Sequence, residues 1–353
     1  MTMNVFYNHT LELKFSSAQT IQVIKDYCYL SRLGYKIYLY GNFVSNEDSK
    51  KISQFIKDYN VTIFSNKIMF WKTFLMKKNK IVVTRHHKKL YETLFIKKFI
   101  KFKNVHEMHE ESFFYLFKPK YTKNYFEKLL NKTDGIIFTN YSQVEFFKKE
   151  FGYFPKFKYT TLPNGVEIEK FKDIKMCNNK VLTYTGQFNR WKNVELLFST
   201  LSLLPQSFSL RIAGGQNQKD INYIKYLTKK YKLNKRVDYK GFVDNKEIPN
   251  ILNCSNVLLL PMGNNIQSKY LTSPMKLFEY MATKIPIVTV NYPSITSLTK
   301  ECQNIFLAEN TSQDFARKIL EAINKSSKNE QKCIEKFSYD IRSKNADKFF
   351  KKL

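Results

Sequence analysis

Short apolar runs alternate along this chain with longer stretches in which apolar residues return every three or four positions. In the first half, residues 4–7, 36–40, 81–84, 104–107 and 135–139 read as strands, and a helix is predicted over 18–33, stopped by Gly34. In the second half, strands are predicted at 181–185, 209–213, 257–260, 285–290 and 305–308, several of them closed by Gly or Pro. Between the first two of these, Val194, Leu197, Phe198, Leu201 and Leu204 keep helical spacing, which gives a helix with one buried face. Strands alternating with helical stretches predict parallel sheets with helices on both faces, an α/β doubly wound architecture. The polar interval 171–179 marks a junction, so the predicted domains are 1–172 and 173–335, followed by a helical segment at 336–353.

Composition refines this picture. A chain of 353 residues suits two domains of ordinary size, and 43% hydrophobic residues suffice for two cores. No long uncharged apolar run is present, so no membrane-crossing helix is expected, and the first residues lack the charged-then-apolar pattern of a leader. Cytoplasmic residence is the expectation. Cys28, Cys177, Cys254, Cys302 and Cys333 are scattered and odd in number, without C-x-x-C spacing. They read as free thiols of a reducing compartment, neither a disulfide framework nor a zinc site. The net charge of +29 is the unusual quantity. Part of it goes with the richness in Asn, Ile, Phe and Tyr expected of an AT-rich genome. What remains favours an acidic surface as partner. Nothing here matches an RNA-recognition sheet, a zinc finger or a helix-turn-helix, so no nucleic acid is expected and an anionic membrane fits better. The basic, aromatic runs 70–78 and 88–103 suit such a surface, although each also suits an ordinary helix packed on the first sheet.

The chemistry concentrates in two segments, 184–193 and 271–282. Ser273 followed by Pro274 predicts a helix start whose outward N–H groups, those of Met275 and Lys276, suit a diphosphate. Lys276 and Glu279, three apart, share one face of that helix, and Arg190 and Lys192 offer further positive charge. A base, two phosphates and a polyol would all find partners, so a nucleotide-sugar site is predicted. The first half has no G-x-G-x-x-G loop after its first strand, which leaves it the role of holding an acceptor. No Asp-x-Asp triplet is present, and no His spacing typical of zinc appears among His9, His86, His87, His106 and His109. No metal is expected.

The order of Pro163-Asn-Gly-Val166, Tyr184-Thr-Gly186 to Trp191-Lys192, Leu210-Arg-Ile-Ala-Gly-Gly215, Gly241-Phe-Val243 and Lys276-Leu-Phe-Glu-Tyr-Met-Ala282 resembles the family 4 glycosyltransferases. The resemblance is good over the second half and patchy over the first. It implies a GT-B fold of two Rossmann-like domains facing a cleft, with the helix in 336–353 crossing back to the first. It implies a retaining, metal-independent enzyme without cofactor, of bacterial cell-surface glycan type. The donor would be a UDP- or GDP-sugar and the acceptor a glycan or lipid-linked oligosaccharide. By the same resemblance Glu279 holds the donor ribose, Lys192 the phosphates after the strand end at Gly186, and Phe242 and Val243 the base. Gln187 stands where the family has an arginine, and Arg190 is expected to supply that guanidinium. His109, followed by Glu110, matches the histidine near the donor sugar, and Glu107 is a candidate for the acceptor. The chain departs from the family at Leu271, where the first of two paired glutamates is absent. Thr272, Ser273 or main-chain N–H groups would then hold the sugar, or the chain is a degenerate GT-B scaffold in a glycan-assembly complex.

Overall fold

The computed structural model describes residues 2–109, 112–113, 120–151, 158–177, 179–188, 192–215, 217–325 and 332–353. Two compact units result. The first comprises Met1–Gly165, Leu271–Ser273 and Tyr339–Leu353, and the second Val166–Tyr270 and Pro274–Ser338. The division at Gly165 and Val166 thus comes ahead of the polar interval read as the junction.

In the first unit the chain runs β1 (Asn4–Leu13), α1 (Ala18–Ser31), β2 (Lys36–Phe43), α2 (Asn46–Ile56), β3 (Val61–Phe64), α3 (Lys67–Met76), β4 (Lys80–Thr84), α4 (His87–Ile96), β5 (Lys103–Met108), α5 (Lys120–Leu130), β6 (Gly135–Phe138), α6 (Tyr141–Phe151) and β7 (Lys158–Thr161). The sheet has the order β3-β2-β1-β4-β5-β6-β7, all parallel, and reverses direction of growth between β1 and β4. Sequence-local signals set the helix starts: Ser45 Oγ accepts from the Asp48 N–H, and Asn66 Oδ1 accepts from the N–H groups of Ile68 and Met69.

In the second unit the order is β8 (Val181–Thr185), α7 (Glu195–Leu203), β9 (Ser209–Ala213), α8 (Gln218–Lys230), β10 (Val237–Gly241), α9 (Ile248–Leu252), β11 (Val257–Leu260), α10 (Met275–Met281), β12 (Ile287–Val290), α11 (Pro293–Thr299), β13 (Ile305–Ala308) and α12 (Ser312–Lys325). Its sheet, β10-β9-β8-β11-β12-β13, is again parallel, with its switch point between β8 and β11. The last helix, α13 (Tyr339–Lys352), belongs to the first unit, where Ala346, Phe349 and Phe350 share a core with Val23, Ile24, Tyr27 and Leu30 of α1. On the other side of that sheet, Phe70 and Phe74 of α3 pack with Phe6, Tyr38, Val82 and Phe102.

The two doubly wound sheets match the predicted fold class, and three strands were not predicted: β3, β7 and β10. All three lie at sheet edges, and none contains a buried residue. Two further expectations are corrected. The helix at 275 is not capped by Ser273: Pro274 is its N-cap residue and no side chain caps it. The cysteines are not five free thiols. Cys177 is bonded to Cys254 and Cys302 to Cys333, and Cys28 is outside both bonds. The reason is topological. Cys177 and Cys254 precede β8 and β11, which are distant in sequence but adjacent in the sheet, so parallel pairing brings their starts together.

Candidate functional site

In the second unit three glycines end neighbouring strands in conformations that side chains rarely adopt: Gly186 (φ 147°), Gly214 (φ 141°) and Gly241 (φ 69°). They are stitched in sequence, the Gly186 N–H donating to the Ala213 carbonyl and the Gly214 N–H to the Gly241 carbonyl, each at 2.7 Å. A methyl group at Gly214 would lie 1.7 Å from the Gly186 carbonyl oxygen. One at Gly186 would lie 2.2 Å from Cε and 2.6 Å from Nζ of Lys276. The lysine side chain of α10 therefore rests directly on the backbone at the end of β8, beside the switch point.

One tyrosine ties α10 to the end of β8 and a second braces the turn that follows it. The Thr185 N–H donates to the Tyr280 hydroxyl at 2.8 Å, and the Tyr184 hydroxyl donates to the Gln187 carbonyl at 2.8 Å. Burial pushes both phenols far above their ordinary pKa, so they are neutral struts. Burial also lowers the Lys276 pKa below the ordinary lysine value, with Glu279 one turn along pulling it back up. A half-buried ammonium, with a carboxylate on the same helix face, is suited to a ligand carrying both phosphate and hydroxyl groups.

Of the residues singled out in the sequence, Gly186, Lys276 and Glu279 come together here, with Met275 opening α10. Lys192 is half-buried in the turn leading to α7. Phe242 and Val243 follow Gly241, one glycine step from Gly214, and Phe242 is exposed. Arg190, Trp191 and Glu110 lie outside the described residues. Gly214, Tyr184, Tyr280 and Thr185 are site-builders that sequence reasoning misses. The glycine pair at 214–215 reads as a turn, and only the neighbouring strand reveals the close backbone approach.

The first unit carries the segment Leu271–Ser273. Gln143 Nε2 donates to the Leu271 carbonyl and Asn140 Nδ2 to the Thr272 carbonyl, both at 2.7 Å. Asn164 Nδ2 donates to the Ser273 carbonyl at 2.6 Å, and its backbone N–H donates to Ser273 Oγ at 3.3 Å. The hydroxyl read as a helix cap is thus an acceptor for Asn164. The Leu271 side chain, where the family has a glutamate, is buried.

His109 lies after β5 in a buried polar cluster of the first unit. Its Nε2 is 3.6 Å from Glu107 Oε2, and that oxygen accepts from the Tyr7 hydroxyl at 3.4 Å. Burial acts to raise the Glu107 pKa, but the nearby His109, with Arg342 and Arg85, holds it at about 2. Burial, helped by Arg85, brings His109 down to about 4 against the pull of Glu107. At neutral pH the pair is a carboxylate orienting a neutral imidazole.

The Glycosyl transferases group 1 family matches residues 166–337. A stretch of 176 residues is 29% identical to UDP-Gal:alpha-D-GlcNAc-diphosphoundecaprenol alpha-1,3-galactosyltransferase of Escherichia coli, covering 44% of this chain and 43% of that enzyme. The chain thus matches less than half the length of that relative. Two solved structures align over 100% of both chains: HepE of Anabaena in complex with UDP (TM-score 0.77, 15% identity) and the lipopolysaccharide outer core galactosyltransferase WaaB in its apo form (TM-score 0.70, 16% identity). At these identities the likeness carries the fold alone.

Proposed function

We propose that this chain, whose residues 166–337 match the group 1 glycosyl transferases and which has the GT-B fold, moves a sugar from a UDP-sugar to a hydroxyl of a lipid-linked glycan. The observation that carries the reading is the Lys276 ammonium resting on Gly186 at the end of β8, with Glu279 on the same helix face. The UDP bound to a relative of the same fold supports uridine over guanosine, and the diphosphoundecaprenol-linked acceptor in the name of another supports the lipid-linked acceptor. The first unit holds that acceptor.

In the proposed reaction the bond between the sugar's anomeric carbon and the diphosphate oxygen breaks while the acceptor oxygen bonds to that carbon on the vacated face, so configuration is retained. The acceptor's proton passes to the departing phosphate. Lys276, Lys192 and Arg190 neutralise the charge that develops on the diphosphate, a task needing no metal. Glu279 accepts hydrogen bonds from the ribose hydroxyls, and His109, neutral and held by Glu107, steadies the sugar.

Calorimetric titration with UDP and GDP, with and without EDTA, tests this. UDP binds in EDTA, and Glu279→Ala weakens it roughly 10- to 100-fold, the loss of hydrogen bonds to a charged acceptor. Absence of UDP affinity sinks the assignment. The buried Leu271 favours a second reading, a scaffold without catalysis, and UDP binding without any hydrolysis or transfer of UDP-sugars would establish that instead.

A further inference from the structure

The segment from Lys67 to Lys103 holds eleven lysines and Arg85 against one acid, Glu92. It is also where large apolar side chains stand in solvent. On α3, Ile68 is 76% exposed, Met69 48%, Leu75 60% and Met76 73%. At 100° per residue these four and Lys72 occupy one arc of about 120°. The opposite face of α3 is also apolar, with Phe70 and Phe74 fully buried against the sheet. A helix apolar on both faces is one whose outer face meets something other than water.

The neighbouring helix continues the pattern. Tyr91, Phe95 and Phe99 follow one another at four-residue intervals along α4 and the turn after it, all more than half exposed. The two helices lie side by side: Lys67 pairs with Glu92 across them at 3.5 Å, and Ile96 packs against the α3 core. Isolated exposed apolar residues are ordinary on a protein surface, whereas seven on two adjacent helices form a patch.

We propose that the outer face of α3 and α4 rests on an anionic phospholipid bilayer, with the apolar stripe entering the headgroup boundary and the lysines meeting lipid phosphates. Charge complementarity selects this occupant. A second copy of the chain would set the same lysines against each other, and a nucleic acid would leave Ile68, Leu75 and Met76 without apolar partners. Among the described residues no helix is long and apolar enough to cross a membrane, so the contact is lateral. It deepens the lipid-linked acceptor reading, since such an acceptor is met at a bilayer, but requires only lipid.

The experiment is co-sedimentation of the full chain with vesicles of phosphatidylcholine alone or with about one third phosphatidylglycerol, at low and high salt. The chain sediments with the anionic vesicles and much less with the neutral ones, and each lysine changed among Lys72→Gln, Lys98→Gln and Lys101→Gln weakens partition about fivefold. Phe95→Ser with Phe99→Ser lowers it again at both salt concentrations, with the circular dichroism of the fold unchanged. No sedimentation, equal partition to both vesicles, or partition that none of these variants alters overturns the proposal. So does a concentration-dependent dimer broken by the same substitutions. UDP titration of the variants is unchanged, so loss of vesicle binding and failure of the transferase reading are separate results.

Discussion

At Gly214 a single methyl group decides whether two strand ends can meet. Its hypothetical position, 1.7 Å from the Gly186 carbonyl oxygen, is blocked by backbone that has no rotamer to escape into, and φ of 141° adds conformational strain. Gly214→Ala is therefore expected to destabilise the second unit by about 2 to 4 kcal/mol and to weaken UDP binding. Gly34 provides the control, with φ of 90° and nothing within 4 Å of an added methyl, so Gly34→Ala reports strain alone. Urea unfolding and UDP titration of both variants separate the two effects; equal losses would remove the close-approach argument. At this scale the sequence is half legible. Lys276 and Glu279 announce themselves by type and spacing, while Tyr184 and Tyr280 look like any core aromatic until their hydroxyls are seen bracing the strand end.

The joint between α1 and α13 shows what an element contributes. Asp26 of α1 and Arg342 of α13, both buried, form an ion pair at 3.1 Å, and Arg342 Nε also donates to the Pro163 carbonyl. Burial raises the Asp26 pKa to about 7, against the opposing pull of Arg342. A carboxyl whose folded pKa exceeds its unfolded value favours the folded state when protonated, and that contribution is lost as pH rises from the usual carboxylate range to about 7. Relative to Asp26→Asn, the wild type should lose about 4 kcal/mol between about pH 4 and pH 7. The constant cost of leaving Arg342 without its partner cancels from this slope. Urea unfolding of both proteins across the range measures it, and parallel curves would refute the raised pKa. Elements are legible in proportion to burial: β6, β11 and β12 are buried throughout and announce themselves as apolar runs, whereas β3, β7 and β10, at sheet edges, alternate too weakly to be seen.

Over the whole molecule the two units differ in their covalent reinforcement. Both cysteine pairs lie in the second unit, closing spans of 77 and 31 residues, and the first has only the buried Cys28. Reduction should remove about 4 kcal/mol per pair from the second unit by loop-closure entropy and leave the first unchanged. Thermal unfolding with and without dithiothreitol checks this, with one transition moving and one staying. If neither moves, the pairs are not bonded in solution. Spacing could not reveal the Cys177–Cys254 pair, because neighbouring parallel strands are joined by long crossovers.

The first unit also draws its residues from three separated stretches, the last of them α13, whose Phe349 and Phe350 complete its core. During synthesis the strands β1 to β7 leave the ribosome first, yet the helix that completes the core on one side of their sheet is made only after every residue of the second unit. At about 5 to 20 residues per second that delay is roughly 10 to 40 s. The half that is born first is the half that closes last, and throughout the interval the part of its core that Phe349 and Phe350 fill stands open to a nascent-chain chaperone.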